Sequence, residues 1–198
     1  MIIMSDHFTF FPLAFRMKYI ERWGLMRNSV PENLLEHAAC TAMLAHALAV
    51  IANERYDGCF DPGDVSVRAL YHDISEIYTG DLPTPVKYAN SAITESYKTV
   101  EKNACETLAE KLPAELRPAF EKALDHESDE ETRRLVKAAD KLCAYIKCVE
   151  ELQNGNREFA SAKLSTKKAL DALAADFAPL RYFMDTLLDG FEKNLDEL

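Results

Sequence analysis

The apolar positions of this 198-residue chain recur mostly at three- and four-residue intervals, and no segment alternates apolar and polar residues convincingly over more than four positions. That pattern predicts helices separated by short punctuation. A first helix is expected from Pro12 to about Glu21, ending near Trp23-Gly24, and a second from about Glu32 to Arg55, stopping before Asp57-Gly58. The third has a defined start, with Asp61 as N-cap, Pro62 at the first helical position and Asp64 near the positive end of the helix dipole. It is expected to run to about Tyr78, where Thr79-Gly80 supplies a stop. Pro83 and Pro85 then exclude helix through Asp81–Pro85 and leave a stiff loop. Further helices are expected over about Ser91–Lys111, Pro113–Leu124, a long one opened by a Ser128–Glu131 capping box and closed at Asn154-Gly155, then Arg157–Ala175 and Pro179–Leu195. The expectation is an all-α bundle of seven or eight helices, with residues 1–198 as one domain.

Composition agrees with that class. Six glycines in 198 residues are too few for a turn-dense β sandwich or a glycine-loop nucleotide fold. The net charge of −10 repels a polyphosphate backbone, so nucleic acid is not expected as a partner, although one metal ion or arginine can still attract a small phosphorylated molecule. Five cysteines without a C-x-x-C pair read as reduced, mostly buried thiols. The N-terminus lacks a basic region followed by an apolar core, and the longest apolar stretch, Ala38–Ala52, is short for a bilayer; the expected location is the cytoplasm, with no membrane contact.

Chemistry is concentrated in a few residues. His72 and Asp73 are adjacent on the third predicted helix, with Glu76 four residues after His72 and therefore on its face at roughly 100° per residue. Such a helix can offer imidazole and carboxylate to one ion while Glu76 addresses a water beside it; a surface hydrogen-bonded pair is the plainer alternative. A divalent ion needs more ligands. His37 follows Glu36 near the start of the second helix. Asp140 lies in the long helix among Leu135, Val136, Leu142 and Tyr145, at or near a buried stripe where a carboxylate needs a partner or a cation. A salt bridge to Lys137 or Lys141 would meet that need equally well. His46 sits about 180° round its helix from His37 and cannot share its site. His7, in the N-terminus, and His126, in the Asp125–Ser128 turn, are assigned structural or solvated roles.

The order His37, His72-Asp73, Asp140, each on its own helix, resembles the HD-domain metal-dependent phosphohydrolases. Longer strings sharpen the likeness: Arg22-Trp23-x-Leu25-Met26-Arg27-Asn28, Glu32-Asn33-x-x-Glu36-His37, Tyr71-His72-Asp73-x-x-Glu76-x-x-x-Gly80-Asp81-Leu82-Pro83-Thr84-Pro85-Val86-Lys87 and Leu135-Val136-Lys137-x-Ala139-Asp140-x-Leu142-Cys143-Ala144-Tyr145 resemble the bacterial 5′-deoxynucleotidases of the YfbR type over nearly the full chain. The stretches Met1–Phe10 and beyond Asn156 lie outside these motifs.

The resemblance implies one divalent cation, such as cobalt, manganese or copper, held by His37, His72, Asp73 and Asp140. It implies that Glu76 activates or relays protons for water, that Arg22 orients phosphate, and that Trp23 crowds the position of a ribose 2′-hydroxyl. Asp81 and Thr84, Pro85, Val86 and Lys87 would complete the nucleotide site, and the assembly would be a homodimer. Read from the residues alone, Arg22 could be a solvated helix-end arginine, Trp23 a core plug, residues 84–87 an inert connector and Lys87 a solvated cation. The expected activity is hydrolysis of deoxyribonucleoside 5′-monophosphates to deoxynucleosides and phosphate. Two alternatives stand beside it: another nucleotide substrate (cyclic, guanosine polyphosphate or triphosphate), or a non-catalytic helical module that binds a nucleotide.

Overall fold

The computed structural model describes residues 8–87, 89–125 and 129–198. Within them the α-helices are α1 (Phe10–Ala14), α2 (Leu34–Arg55), α3 (Pro62–Tyr71), α4 (Glu76–Thr79), α5 (Thr84–Lys87), α6 (Ser91–Ala109), α7 (Arg117–Leu124), α8 (Glu130–Gln153), α9 (Ala160–Ala174) and α10 (Ala178–Thr186), with short 3₁₀ turns between several of them. The described residues form no strand, only an isolated antiparallel bridge between Glu21 and Asn33.

Helix α2 is the axis of the bundle and packs most extensively against α3 and α8. Alanines make that approach possible. Ala38, Ala45, Ala49 and Ala52 of α2, Ala69 of α3 and Ala138 and Ala139 of α8 are all buried, so the backbones can come close where larger side chains would hold them apart. The larger core gathers Leu44 and Leu48 with Val65, Leu135, Leu142, Leu170, Leu180 and Phe183. A smaller one joins Leu34 and Ala38 to Phe10, Met17, Ile74, Leu108 and Leu112. His37 lies on α2 where the two cores meet. By length and composition alone α2 could cross a membrane, contrary to the expectation from its apolar stretch, but its residues make the interior of this bundle.

Several predicted boundaries hold for the predicted reason. Asp61 caps α3 through Oδ1, which accepts the N–H groups of Gly63 and Asp64 at 2.9 and 3.2 Å. Gly155 takes a positive φ of 80° just past α8. Asp129 is the cap of α8, its Oδ1 accepting from Glu131 and Thr132 at 3.1 and 3.2 Å; the predicted Ser128 cap, like His7 and His126, lies outside the described residues.

Three expectations are corrected. The first predicted helix stops at Ala14, tightens into a 3₁₀ segment over Phe15–Tyr19, and leaves Ile20 and Glu21 extended, because they pair with the residues before α2 (Arg22 N–H to Glu32 O at 2.9 Å, Leu34 N–H to Ile20 O at 2.8 Å). The expected continuous Pro62–Tyr78 helix breaks after Tyr71. Residues 84–87, expected as loop, form the short helix α5 with Pro85 in its first turn, where no amide hydrogen is needed. The thiols are free and mostly buried, as expected: Cys105, Cys143 and Cys148 are buried, Cys40 and Cys59 exposed.

Candidate metal and nucleotide site

The break after Tyr71 shapes the site. Through it the hydrogen bonds run to the third preceding carbonyl, as in Ile74 N–H to Tyr71 O at 3.0 Å and Glu76 N–H to Asp73 O at 3.0 Å. Three residues per turn bring i and i+3 toward one side, so the break changes the register of Glu76 from that of an uninterrupted α-helix, and Asp73 is the charge that acts most strongly on it. His72 is turned by its own backbone: Nδ1 donates to Ala69 O at 2.7 Å. A carbonyl can only accept, so Nδ1 carries a proton and Nε2 is the nitrogen left to face a partner; burial opposes the imidazole's charge, but Asp73 and Asp140 raise its pKa.

His72 Nε2 points into a cluster drawn from three elements. His72 Nε2 is 3.1 Å from Asp73 Oδ2, and His37 Nε2 is 3.6 Å from Asp73 Oδ2 and 3.3 Å from Asp140 Oδ1. The two imidazole centroids are 5.2 Å apart. Ligands about 2.1 Å from a common ion stand roughly 3.0–3.4 Å from one another, so these spacings fit a single cation. A second fact agrees. His72 Nε2 is buried and makes no hydrogen bond, which in a protein interior calls for a ligand. The four residues predicted as ligands are thus brought together, and Asp140 also takes the Lys141 ammonium at 3.0 Å, so the alternative salt bridge is present as well.

The electrostatics suit a cation. Burial opposes ionisation of Asp73 and Asp140, yet His72 beside the first, and Lys141 and His37 beside the second, hold both carboxyls well below the usual range. Burial lowers His37, keeping it neutral and able to donate a lone pair. Burial, reinforced by Asp73 and Asp81, pushes Glu76 up to about 9, and its Oε2 has no hydrogen-bond partner.

Arg22 and Trp23 border the cluster. The guanidinium is only 12% exposed, so it is not a solvated helix end, and its Nε and Nη1 atoms make no hydrogen bond. Burial disfavours its charge, but Asp140, Glu32, Asp73 and Asp81 outweigh burial and raise its pKa. Trp23 adopts φ = 60°, a left-handed conformation that costs a non-glycine residue about 1–2 kcal/mol. It is held there by its N–H to Asp81 Oδ2 at 3.3 Å, its indole Nε1–H to Glu32 Oε2 at 3.0 Å, and a ring contact with Phe159 at 5.3 Å. Asp81 therefore reaches the site by fixing Trp23.

Residues 85–87 do not join so directly, and the Thr84 side chain lies outside what the structure describes. Lys87 donates to Glu101 Oε1 at 2.7 Å and lies 4.7 Å over the Tyr97 ring, while Pro85 and Val86 are exposed. His46 is exposed, away from His37 as its position on the helix requires. Missed by the sequence reading were Glu32, whose motif position was noted without a role, and the residues beyond α8. Asn156 Nδ2 donates to Arg27 O at 2.7 Å, Glu158 accepts the Arg27 guanidinium at 2.6 Å, and Phe159 backs Trp23. Segments outside the recognisable motifs thus brace the loop that carries two of them.

The chain belongs to the YfbR-like 5′-deoxynucleotidase family. That family's model matches residues 9–191. A 5′-deoxynucleotidase of Enterobacter sp. (strain 638) is 47% identical over 190 residues, covering 96% of this chain and 94% of its own, and 5′-deoxynucleotidase YfbR of Escherichia coli (strain ATCC 8739) is 46% identical over the same shares. The fold is that of solved HD-domain phosphohydrolases. One from Listeria innocua superposes with TM-score 0.78 at 21% identity, over 92% of this chain and 88% of that one. Cyanophage S-2L DatZ, solved with dA and one catalytic Zn²⁺, superposes with TM-score 0.62 at 20% identity, over 93% and 97%.

Proposed function

We propose that this YfbR-like enzyme hydrolyses deoxyribonucleoside 5′-monophosphates with the residues of the cluster just described. The observation that carries the reading is that donor atoms of His37, His72, Asp73 and Asp140 converge beside the unpartnered polar atoms of Arg22 and Glu76. The four ligands would hold one divalent cation, and the identity of neighbours such as the zinc-bound DatZ supports a transition metal, as does the mixed imidazole and carboxylate donor set. When bound, such an ion neutralises phosphoryl charge and makes water nucleophilic at neutral pH.

The chain's own groups supply the rest. The Arg22 guanidinium, with Nε and Nη1 unpartnered, offers hydrogen-bond donors to phosphate oxygens, already desolvated and already charged. Glu76 is the proton carrier, in an environment where a change of local charge moves its carboxyl from the protonated toward the ionised form. Trp23, clamped in one conformation, crowds the sugar so that an added hydroxyl displaces the nucleotide. A phosphate-release screen over ribo and deoxy 5′-monophosphates, with several divalent metals added after chelation, tests the reading. Activity is expected to vanish on chelation, to return with metal and to favour the deoxy series; activity indifferent to chelation sinks it. In the same screen Trp23→Ala is expected to raise ribonucleotide relative to deoxyribonucleotide turnover by about 10-fold or more, since a shape-built pocket discriminates at that scale.

A further inference from the structure

Glu32 stands at the junction of three working side chains, and none of the roles above belongs to it. Its Oε2 accepts the Trp23 indole N–H at 3.0 Å and lies 3.6 Å from Arg22 Nη1. Its Oε1 lies 3.9 Å from Nδ1 of His37, a fully buried atom with no hydrogen-bond partner. Backbone geometry makes the placement unavoidable: the Glu21–Asn33 bridge and the Arg22 N–H to Glu32 O bond of 2.9 Å put Glu32 opposite Arg22 and Trp23, immediately before the helix carrying His37. The side chain is 14% exposed, so its charge acts through little water.

We infer that Glu32 is a positioning residue, whose single carboxylate sets the indole that contacts the sugar and the guanidinium that contacts phosphate at a fixed distance from the metal-ligating His37. The chemistry suits the task. At 3.6 Å from Arg22 Nη1 the carboxylate balances charge without taking a hydrogen bond, leaving the Nε and Nη1 donors free for phosphate. The indole has only one donor, and Glu32 uses it to hold Trp23 in its left-handed conformation. Selectivity for deoxyribose then depends on Glu32 as well as on Trp23. This rests on the reading of Trp23 as the sugar-crowding residue.

Trp23 is the only tryptophan of the chain, so its fluorescence reports its surroundings directly. Three substitutions separate the possibilities: Glu32→Ala removes the acceptor, Glu32→Asp keeps the charge but withdraws it, and Glu32→Gln keeps an acceptor in place. Glu32→Ala and Glu32→Asp are expected to raise acrylamide quenching of Trp23 and to lower the deoxy-to-ribo ratio of kcat/KM by about 10-fold, the scale of one charge-assisted hydrogen bond. Glu32→Gln is expected to restore both readouts toward wild type. Quenching unchanged in Glu32→Ala and Glu32→Asp overturns the inference, as does altered quenching with an intact ratio while Trp23→Ala destroys it. If Trp23→Ala itself leaves the ratio intact, the sugar reading fails, and the selectivity role of Glu32 with it.

Discussion

Asp73→Asn is expected to lower phosphate release by about 10³-fold or more while the protein remains folded. Asp73 is the carboxylate that lies near both imidazoles, at 3.1 Å from His72 Nε2 and 3.6 Å from His37 Nε2. Asparagine keeps its shape and removes its charge. A bound cation contributes several kcal/mol of charge stabilisation to phosphoryl transfer, and each ~1.4 kcal/mol is a factor of ten in rate. A second measurement distinguishes loss of the cation from misfolding. Saturating divalent metal at 100 times its Kd stabilises the native state by about 2.7 kcal/mol, which for a chain of this size raises Tm by about 5–10 °C. In Asp73→Asn that metal-dependent rise should disappear, while the metal-free protein still melts cooperatively, at or below the metal-free wild type because the paired carboxylate charge is lost. A variant that retains the rise would remove Asp73 from the ligand set.

The largest expected effect on stability lies some distance along the chain, at Glu151. This carboxylate is 1% exposed and accepts the Lys147 ammonium at 2.5 Å, Ser29 N–H at 2.8 Å, Val30 N–H at 3.1 Å and Asn156 Nδ2 at 2.7 Å. Lys147, itself 5% exposed, also donates to Val30 O. Glu151→Ala leaves a buried ammonium and three N–H donors without their acceptor, a loss of about 3–5 kcal/mol and on the order of 10 °C in Tm. The loop it releases leads directly to Glu32, so thermal loss should be accompanied by weaker substrate binding.

The same group carries a pH signature. Burial alone would raise the Glu151 carboxyl, but the Lys147 ammonium and the amide donors reverse this and hold it at about 2, against an ordinary 4.5. A folded-state pKa depressed in this way contributes stability in full above about 4.5 and loses it as pH falls through about 2. Melting curves between those limits should therefore fall more steeply for wild type than for Glu151→Gln; equal slopes would show that the carboxylate is not held by these partners.

What could be read without coordinates was local or motif-borne. The Asp61-Pro62 start and the Gly155 stop act within one turn of backbone, through an amide that a side chain satisfies or a φ that glycine accepts, so neighbouring residues sufficed to place them. The candidate ligands His37, His72, Asp73 and Asp140 were carried by the resemblance, and the fold brings their donor atoms near one another. The helix break after Tyr71, the pairing of Lys87 with Glu101, the Glu32 junction and the Glu151 clamp had no such trace. Ser29 and Glu151 stand 122 positions apart, Arg27 and Glu158 131 apart. A charged residue on a helix looks the same in sequence whether it faces water or closes a distant loop. Helices, caps and ligand chemistry were therefore determined by the sequence itself, whereas which charges are buried, and what they hold in place, was decided by tertiary packing, because desolvation and pairing exist only once remote segments meet.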